Sequence, residues 1–214
     1  MKKLHAFIFL ITTVLFTNSC KNSNVDEINS NSKSKSDSVV KTKPDSLNTI
    51  ETVKIGTQIW TAKNLDVFTY QNGDTITEVK NINTLKNIKT GAWCYYNFDA
   101  KNGKKYGKLY NFAAVKDPRG IAPKGFHIPT VLEYHWYNNP TLNEKGFNAF
   151  PAGSLSISRY PYDRNPFFKE LGGLAFFACQ DNRFIFFECE QCKIKFDFES
   201  QDRAFYLSVR CIKD

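Results

Sequence analysis

The stretch YGKLYNFAAVKDPRGIAPKGFHIPT, residues 106–130, decides how the rest of the chain is read. Tyr110, Phe112 and Val115 are large apolar residues that ask for a core. Pro118, Gly120, Pro123 and Gly125 then follow so closely that no regular element can run through them. Phe126 to Pro129 reads as a short extended segment, and Thr130 as the cap of one short helix over Val131–Asn138. The order is helix or strand, ordered loop, short strand, helix start.

Upstream, Met1 to Ser19 has the make-up of an export signal. Lys2 and Lys3 form a basic start, and Ala6 to Phe16 is an apolar run broken only by Thr12 and Thr13. The run is too short for a stop-transfer helix and has the wrong flanks. Small Ser19 precedes Cys20, although Thr17 and Asn18 depart from the usual box before a lipidated cysteine. The expectation is cleavage after residue 19 and acylation of Cys20, palmitate included. Residues 20–50 are the lipidated cysteine and a tether of Asn, Ser, Lys, Asp and Thr with apolar residues scattered without period. Such a segment cannot offset the entropy of ordering. As a coil of about 30 residues it would hold a domain roughly 30 Å from a bilayer.

Residues 51–214 are expected to form one domain, long enough to bury a core. The chain has a net charge of +8, but acidic and basic residues are interspersed rather than blocked. This argues against nucleic acid as a partner. Thr52–Trp60 reads as a strand bent at Gly56, Asn64–Phe68 as an extended piece, and Asn72-Gly73-Asp74 as a turn. Thr77–Lys89 suggests a modest helix from the spacing of Val79, Ile82, Leu85 and Ile88, and Gly91–Phe98 a strand. Lys101–Lys105 reads as a turn and Ser154–Pro166 as a polar loop. The last third is the clearest β signal. Leu174–Cys179, Phe184–Cys189, Lys193–Glu199 and Phe205–Cys211 read as strands, and the third alternates strictly between apolar and charged residues.

Several segments together resemble the Fibrobacter succinogenes major paralogous domain of exported and lipid-anchored bacterial proteins. They are VKIGTQIWTAKNL (53–65), TGAWCYYNFD (90–99), YGKLYNFAAV (106–115), APKGFHIPT (122–130), GFNAFPAG (146–153) and SVRCIKD (208–214), in the family's order. The chain departs from the family pattern where Tyr134 stands in place of a usual Trp, and at Cys179. The resemblance implies a compact, irregular α+β domain with a mixed or antiparallel sheet and few short helices. By weaker analogy it implies a C-type-lectin-like or formylglycine-generating-enzyme-like fold, without a recognisable form of that enzyme's cysteine pair. The implied address is the bacterial envelope, lipid-anchored, at the outer membrane.

Export favours disulfides, and of six cysteines one is reserved for lipid, so an odd number remains. Cys94 and Cys211 lie in two of the shared motifs, and the resemblance implies that they pair. Cys189 and Cys192 form a CxxC at an expected hairpin tip. Three readings stay open for it: a zinc site with Cys179, a redox centre, or a structural disulfide within the motif or to Cys179.

Catalytic constellations are thin. His127 and His135 are the domain's histidines, and no GxSxG, HExxH or phosphate-binding glycine loop occurs. His127 reads as a half-buried histidine satisfying loop groups. Asp163-Arg164-Asn165-Pro166 lacks the order of residues that a lectin calcium loop needs. No cofactor, metal or catalytic residue is assigned. What remains is recognition of a glycan or an envelope protein, through Lys116–Lys124 and Asn138–Asn165. The expected contacts are Trp136, Tyr137, Arg159, Tyr160, Tyr162 and Arg164, since Tyr, Trp and Arg dominate binding surfaces. The alternative is an envelope enzyme with a dispersed site.

Overall fold

The computed structural model describes residues 50–85, 88–138, 146–158, 166–188, 193–198 and 203–214, all within one unit, Ser46–Asp214. The segment 1–49, with the expected signal, Cys20 and tether, lies outside them, as do Cys189 and Cys192. The strands are β1 (Thr52–Ile55), β2 (Gln58–Thr61), β3 (Thr77–Glu78), β4 (Ala92–Cys94), β5 (Leu109–Asn111), β6 (Phe126–His127) and β7 (Ala152–Ser158). They continue with β8 (Phe167–Leu171), β9 (Leu174–Ala178), β10 (Arg183–Glu188), β11 (Lys193–Phe198), β12 (Arg203–Leu207) and β13 (Ile212–Lys213). The helices are short: α1 (Ile82–Leu85), α2 (Ala100–Tyr106) and α3 (Phe112–Val115), with 3-10 turns at Tyr96–Phe98 and Val131–Asn138.

Among the described residues, β1-β2-β13-β6 form a four-stranded sheet and β11-β10-β9-β7-β12-β5-β4-β3 the path of a larger one, with β8 paired to β7. Most pairs are antiparallel; β3–β4 and β7–β9 are parallel. The domain is therefore α+β with mixed sheets. Successive residues divide between the faces of the larger sheet, as strand geometry requires. Trp93, Tyr110, Phe176 and Leu207 join one core cluster, while their neighbours Cys94, Leu109 and Tyr206 join another and Phe177 a third.

Several local readings change. The first strand is a hairpin: Ile55 pairs with Gln58 across a tight turn at Gly56, whose φ of 61° suits glycine. Lys101–Lys105 lies in α2. Asp99 caps it by accepting from the Lys101 N–H (2.9 Å), and Gly103 sits inside the helix because the Tyr95 ring packs where a Cβ would stand. Of the expected helix over Thr77–Lys89, only Ile82–Leu85 is helical among the described residues. Residues 154–158 are not a loop but part of β7, a strand in the middle of the large sheet. It is buried on both faces from Ala152 to Ser156, and small serines fit there.

Cys94, Cys179 and Cys211 are free, buried thiols. The expected Cys94–Cys211 disulfide is thus not formed. Cys94 packs on the face of β4 opposite Trp93, whereas Cys211 belongs to the cluster that contains Trp93. A disulfide also needs close, facing Cβ atoms. Cys179, offered above as a third zinc ligand or a disulfide partner, packs instead among Phe177, Ile185 and Phe187.

Among the described residues, Arg210 is a fully buried charged side chain. Its Nε–H donates to Asn64 Oδ1 (2.8 Å), Nη1 to the Thr61 carbonyl (2.6 Å) and Nη2 to the Asn148 carbonyl (2.8 Å). The Phe147 ring lies 4.8 Å from the guanidinium carbon. Burial lowers its pKa to about 10, so it is charged at neutral pH. Replacing it leaves two buried acceptors, Asn64 Oδ1 and the Thr61 carbonyl, unpaired, each costing about 1–3 kcal/mol. Arg210→Met is expected to lower stability by about 3 kcal/mol or more. Arg210→Lys should also destabilise, because an ammonium cannot serve three divergent acceptors. Urea unfolding with an unchanged slope checks both.

Candidate functional site

Two irregular segments meet beside the central loop. The first, Asn64 to Asp74, has few ladder bonds and is fixed by isolated backbone bonds and by side chains. The Leu65 N–H donates to the Val209 carbonyl (2.8 Å), and the Tyr110 hydroxyl donates to the Val67 carbonyl (2.7 Å). Buried Lys108 donates to the Asp66 carbonyl (2.9 Å) and pairs with its carboxylate, its ammonium 4.6 Å from the Trp93 ring centroid. The turn at Asn72 closes as expected, with the Asp74 N–H donating to Asn72 Oδ1 (3.0 Å).

The second segment, Lys116 to Lys124, is folded onto the first. Gln71 clamps it twice: its backbone N–H donates to the Gly120 carbonyl (2.9 Å) and its Nε2 to the Ala122 carbonyl (2.8 Å). Gly120, at φ 70°, lets the loop approach, since an added Cβ would lie 3.3 Å from Gln71 Cδ. Arg119 completes the join. Its Nε and Nη2 both donate to Asp117 (2.8 Å each), Nη1 donates to Asp74 (2.9 Å), and the plane lies 3.9 Å from the Tyr70 ring centroid.

Between these walls runs a groove of two lobes that share Gln71, Ile121 and Ala122. One, about 450 Å³, is walled largely by Val67, Tyr70, Ile121, Ala122 and Pro123, with Lys124 on its rim. The other, about 290 Å³, reaches Lys116, Asp117, His127 and Gln180.

His127 stands at the far end of the second lobe. Its Nδ1 is 2.8 Å from Asp214 Oδ1 and its Nε2 is 2.9 Å from Glu133 Oε1. Glu133 Oε2 in turn accepts from the Thr130 N–H (2.8 Å) and hydroxyl (2.9 Å), so Thr130 and Glu133 close the start of the 3-10 turn. While both ring nitrogens donate to carboxylates, His127 is an imidazolium with no lone pair to take a substrate proton. Burial works against its charge, yet the bonds to Asp214 and Glu133 raise its pKa above the ordinary value.

Asp117, which lines the second lobe, and Asp74, the other partner of Arg119, are also occupied. The hydrogen bond from Arg119 holds the Asp117 carboxyl down to about 2. Bonds from Arg119 and Asn72 lower Asp74. Among the described residues, no group of three His, Cys, Asp or Glu side chains is placed to hold a metal ion. Burial pushes the Cys211 thiol up to about 12 and raises Cys94 and Cys179 further, so these thiols are not nucleophiles at neutral pH.

Of the residues expected to make contacts, the described backbone places Trp136 and Tyr137 on the 3-10 turn and goes no further. Arg159, Tyr160, Tyr162 and Arg164 lie outside the described residues, as does Asp163. Lys116–Lys124 does line the groove. Gln71, Tyr70 and Arg119 were not singled out from the sequence. The signal for Arg119 was present in Asp117-Pro118-Arg119-Gly120, a turn whose first carboxylate reaches back to its own Arg.

Residues 53–138 match the family model of the Fibrobacter succinogenes major domain. No curated protein and no solved structure matches the chain.

The charge network makes a direct prediction. Arg119→Ala should return the Asp117 carboxyl from about 2 to the ordinary carboxylate range. Because the folded-state value is depressed, that contribution to stability stands above the unfolded value and is lost as pH falls through the folded one. The variant should therefore lose less stability on acidification than the wild type. Carboxyl-detected NMR titration and acid unfolding check this, and an unmoved Asp117 would contradict it.

Proposed function

The chain belongs to the Fibrobacter succinogenes major domain family through residues 53–138, and we propose that its domain works by recognition, not catalysis, on a lipid anchor at the bacterial outer membrane. The observation that carries the reading is the groove, whose lining Asp117 and His127 are each held by charged partners while Lys116 and Lys124 stand exposed at its rim. Arg119 is committed to Asp74 and Asp117, and His127 to Glu133 and Asp214. A general acid or base needs a free, reachable proton site. A binding groove needs rigid walls and a few oriented polar atoms. Gln71 supplies such atoms where the lobes meet. The ligand class of this reading is a glycan or an envelope protein. Trp136, Tyr137, Arg159, Tyr160, Tyr162 and Arg164 extend the surface in it, and a lectin-like arrangement of loops on a sheet is its fold-level counterpart.

Anchoring has its own test. Cys20→Ala should shift the full chain from the detergent phase to the aqueous phase in a phase-separation assay; unchanged partitioning overturns the anchor. Recognition is tested by screening the full chain against glycan and envelope-protein arrays. Gln71→Ala, Trp136→Ala and Tyr162→Ala follow on any binder. At least one is expected to weaken binding tenfold or more, about 1.4 kcal/mol, with unchanged circular dichroism. No binder, or binding indifferent to all three, refutes this placement of the site. Turnover of a bound ligand would favour an envelope enzyme instead.

A further inference from the structure

We propose that His127 is a proton-operated clip that fastens Asp214, just after β13, to the wall of the groove when charged and releases it on losing one proton. The geometry is specific. Asp214 Oδ1 lies 2.8 Å from Nδ1 and Glu133 Oε1 lies 2.9 Å from Nε2. Only an imidazolium donates from both nitrogens. A neutral ring donates from one and turns a lone pair toward the other carboxylate, which is repulsive.

The two carboxylates are not equivalent. Glu133 is held by both Thr130 donors and its side chain is 34% exposed; that of Asp214 is 60% exposed. Among the described residues, the Asp214 carboxylate has no other partner. The neutral ring therefore keeps its proton on Nε2, toward Glu133, and Asp214 turns to solvent. Among the described residues, these two carboxylates are the charged groups that face the imidazole. In the adjoining lobe Asp117 is taken by Arg119, Lys116 is exposed, and behind the 3-10 turn Asp181 is paired with Arg183.

The release matters because of what the clip holds. β6 is a two-residue edge strand, and Phe126, His127 and Ile128 wall the second lobe. Its sheet partner is β13, also two residues long, followed by the Asp214 N–H bond to the Gly125 carbonyl (3.0 Å). Such short pairings are weak alone, so losing the clip loosens that wall.

The sign follows from the directions of the shifts. The histidine value is raised on folding, so its contribution is whole below about 6.5, the unfolded value, and disappears as pH rises through the folded one. The Glu133 value is lowered, so its contribution stands above the ordinary carboxyl value and is lost in acid. The clip is tightest between those limits.

Histidine NMR titration of the full chain tests the proposal, with thermal midpoints measured over the same pH range. The expected result is a His127 midpoint above the ordinary histidine value. The Nε2–H tautomer should dominate above that midpoint, and the Phe126 and Asp214 amide signals should follow the same curve. His127→Gln should abolish the amide step, and Asp214→Asn should lower the His127 midpoint. A midpoint at or below 6.5, an Nδ1–H tautomer, or an amide step that persists in His127→Gln overturns it. No ligand is needed, so failure here and failure of binding are separate outcomes.

Discussion

A guanidinium buried without a carboxylate holds this domain's ends together. Arg210 reaches the end of β2 through the Thr61 carbonyl, the chain beyond it through Asn64, and a distant loop through the Asn148 carbonyl. The environment is unusual for a charge, since its partners are neutral oxygens and the rings of Phe147 and Phe177. It persists because a guanidinium is weakly hydrated, stacks on aromatic faces and aims its donors along fixed directions. Two of its donors meet acceptors, Asn64 Oδ1 and the Thr61 carbonyl, that would otherwise be buried unpaired, so cation and oxygens satisfy one another.

The rest of the small sheet hangs on that arrangement. β13 has two residues and could not hold its place by ladder bonds alone. Around Arg210, the Thr61 N–H donates to the Cys211 carbonyl (2.9 Å), the Cys211 N–H to the Thr61 hydroxyl (3.1 Å), and Asn64 Nδ2 to the Tyr106 carbonyl (2.8 Å). β13 then supplies the partner for β6, which carries His127 into the groove wall. A buried cation near the middle thus fixes the position of a surface site it does not touch.

What was legible in the sequence is what local chemistry decides. The Asn72 turn, the strands at Leu174–Ala178 and Arg183–Glu188, and the passage from an extended Phe126-His127 to a turn closed by Thr130 and Glu133 needed only neighbours in the chain. What was missed depends on distant contacts. Gly103 sits in a helix because the Tyr95 ring needs the space. Ser154 and Ser156 lie in a strand covered on both faces, which erases the alternation that marks strands on a half-exposed sheet. The groove was half legible: Lys116–Lys124 is visibly broken by Pro and Gly, but its partner Gln71 lies 51 residues before Ala122, and Asp74 lies 45 before Arg119.

The same long-range pairs bear on the kind of ligand that the proposed recognition would discriminate. Charged groups already matched to each other hold walls in place but lend little attraction to an incoming charge. Lys116 and Lys124 are exposed at the rim, where an ion pair contributes little. Selectivity then falls to uncharged features: the apolar surface of Val67, Ile121, Ala122 and Pro123, and the amide of Gln71 at the junction. Gln71 Nε2 donates to the Ala122 carbonyl, which fixes how the amide is turned. An amide so oriented favours a ligand that carries both a donor and an acceptor next to an apolar face. Sugar hydroxyls beside a ring face and a peptide bond beside a side chain both have that form, which supports the proposal of a glycan or a protein as ligand.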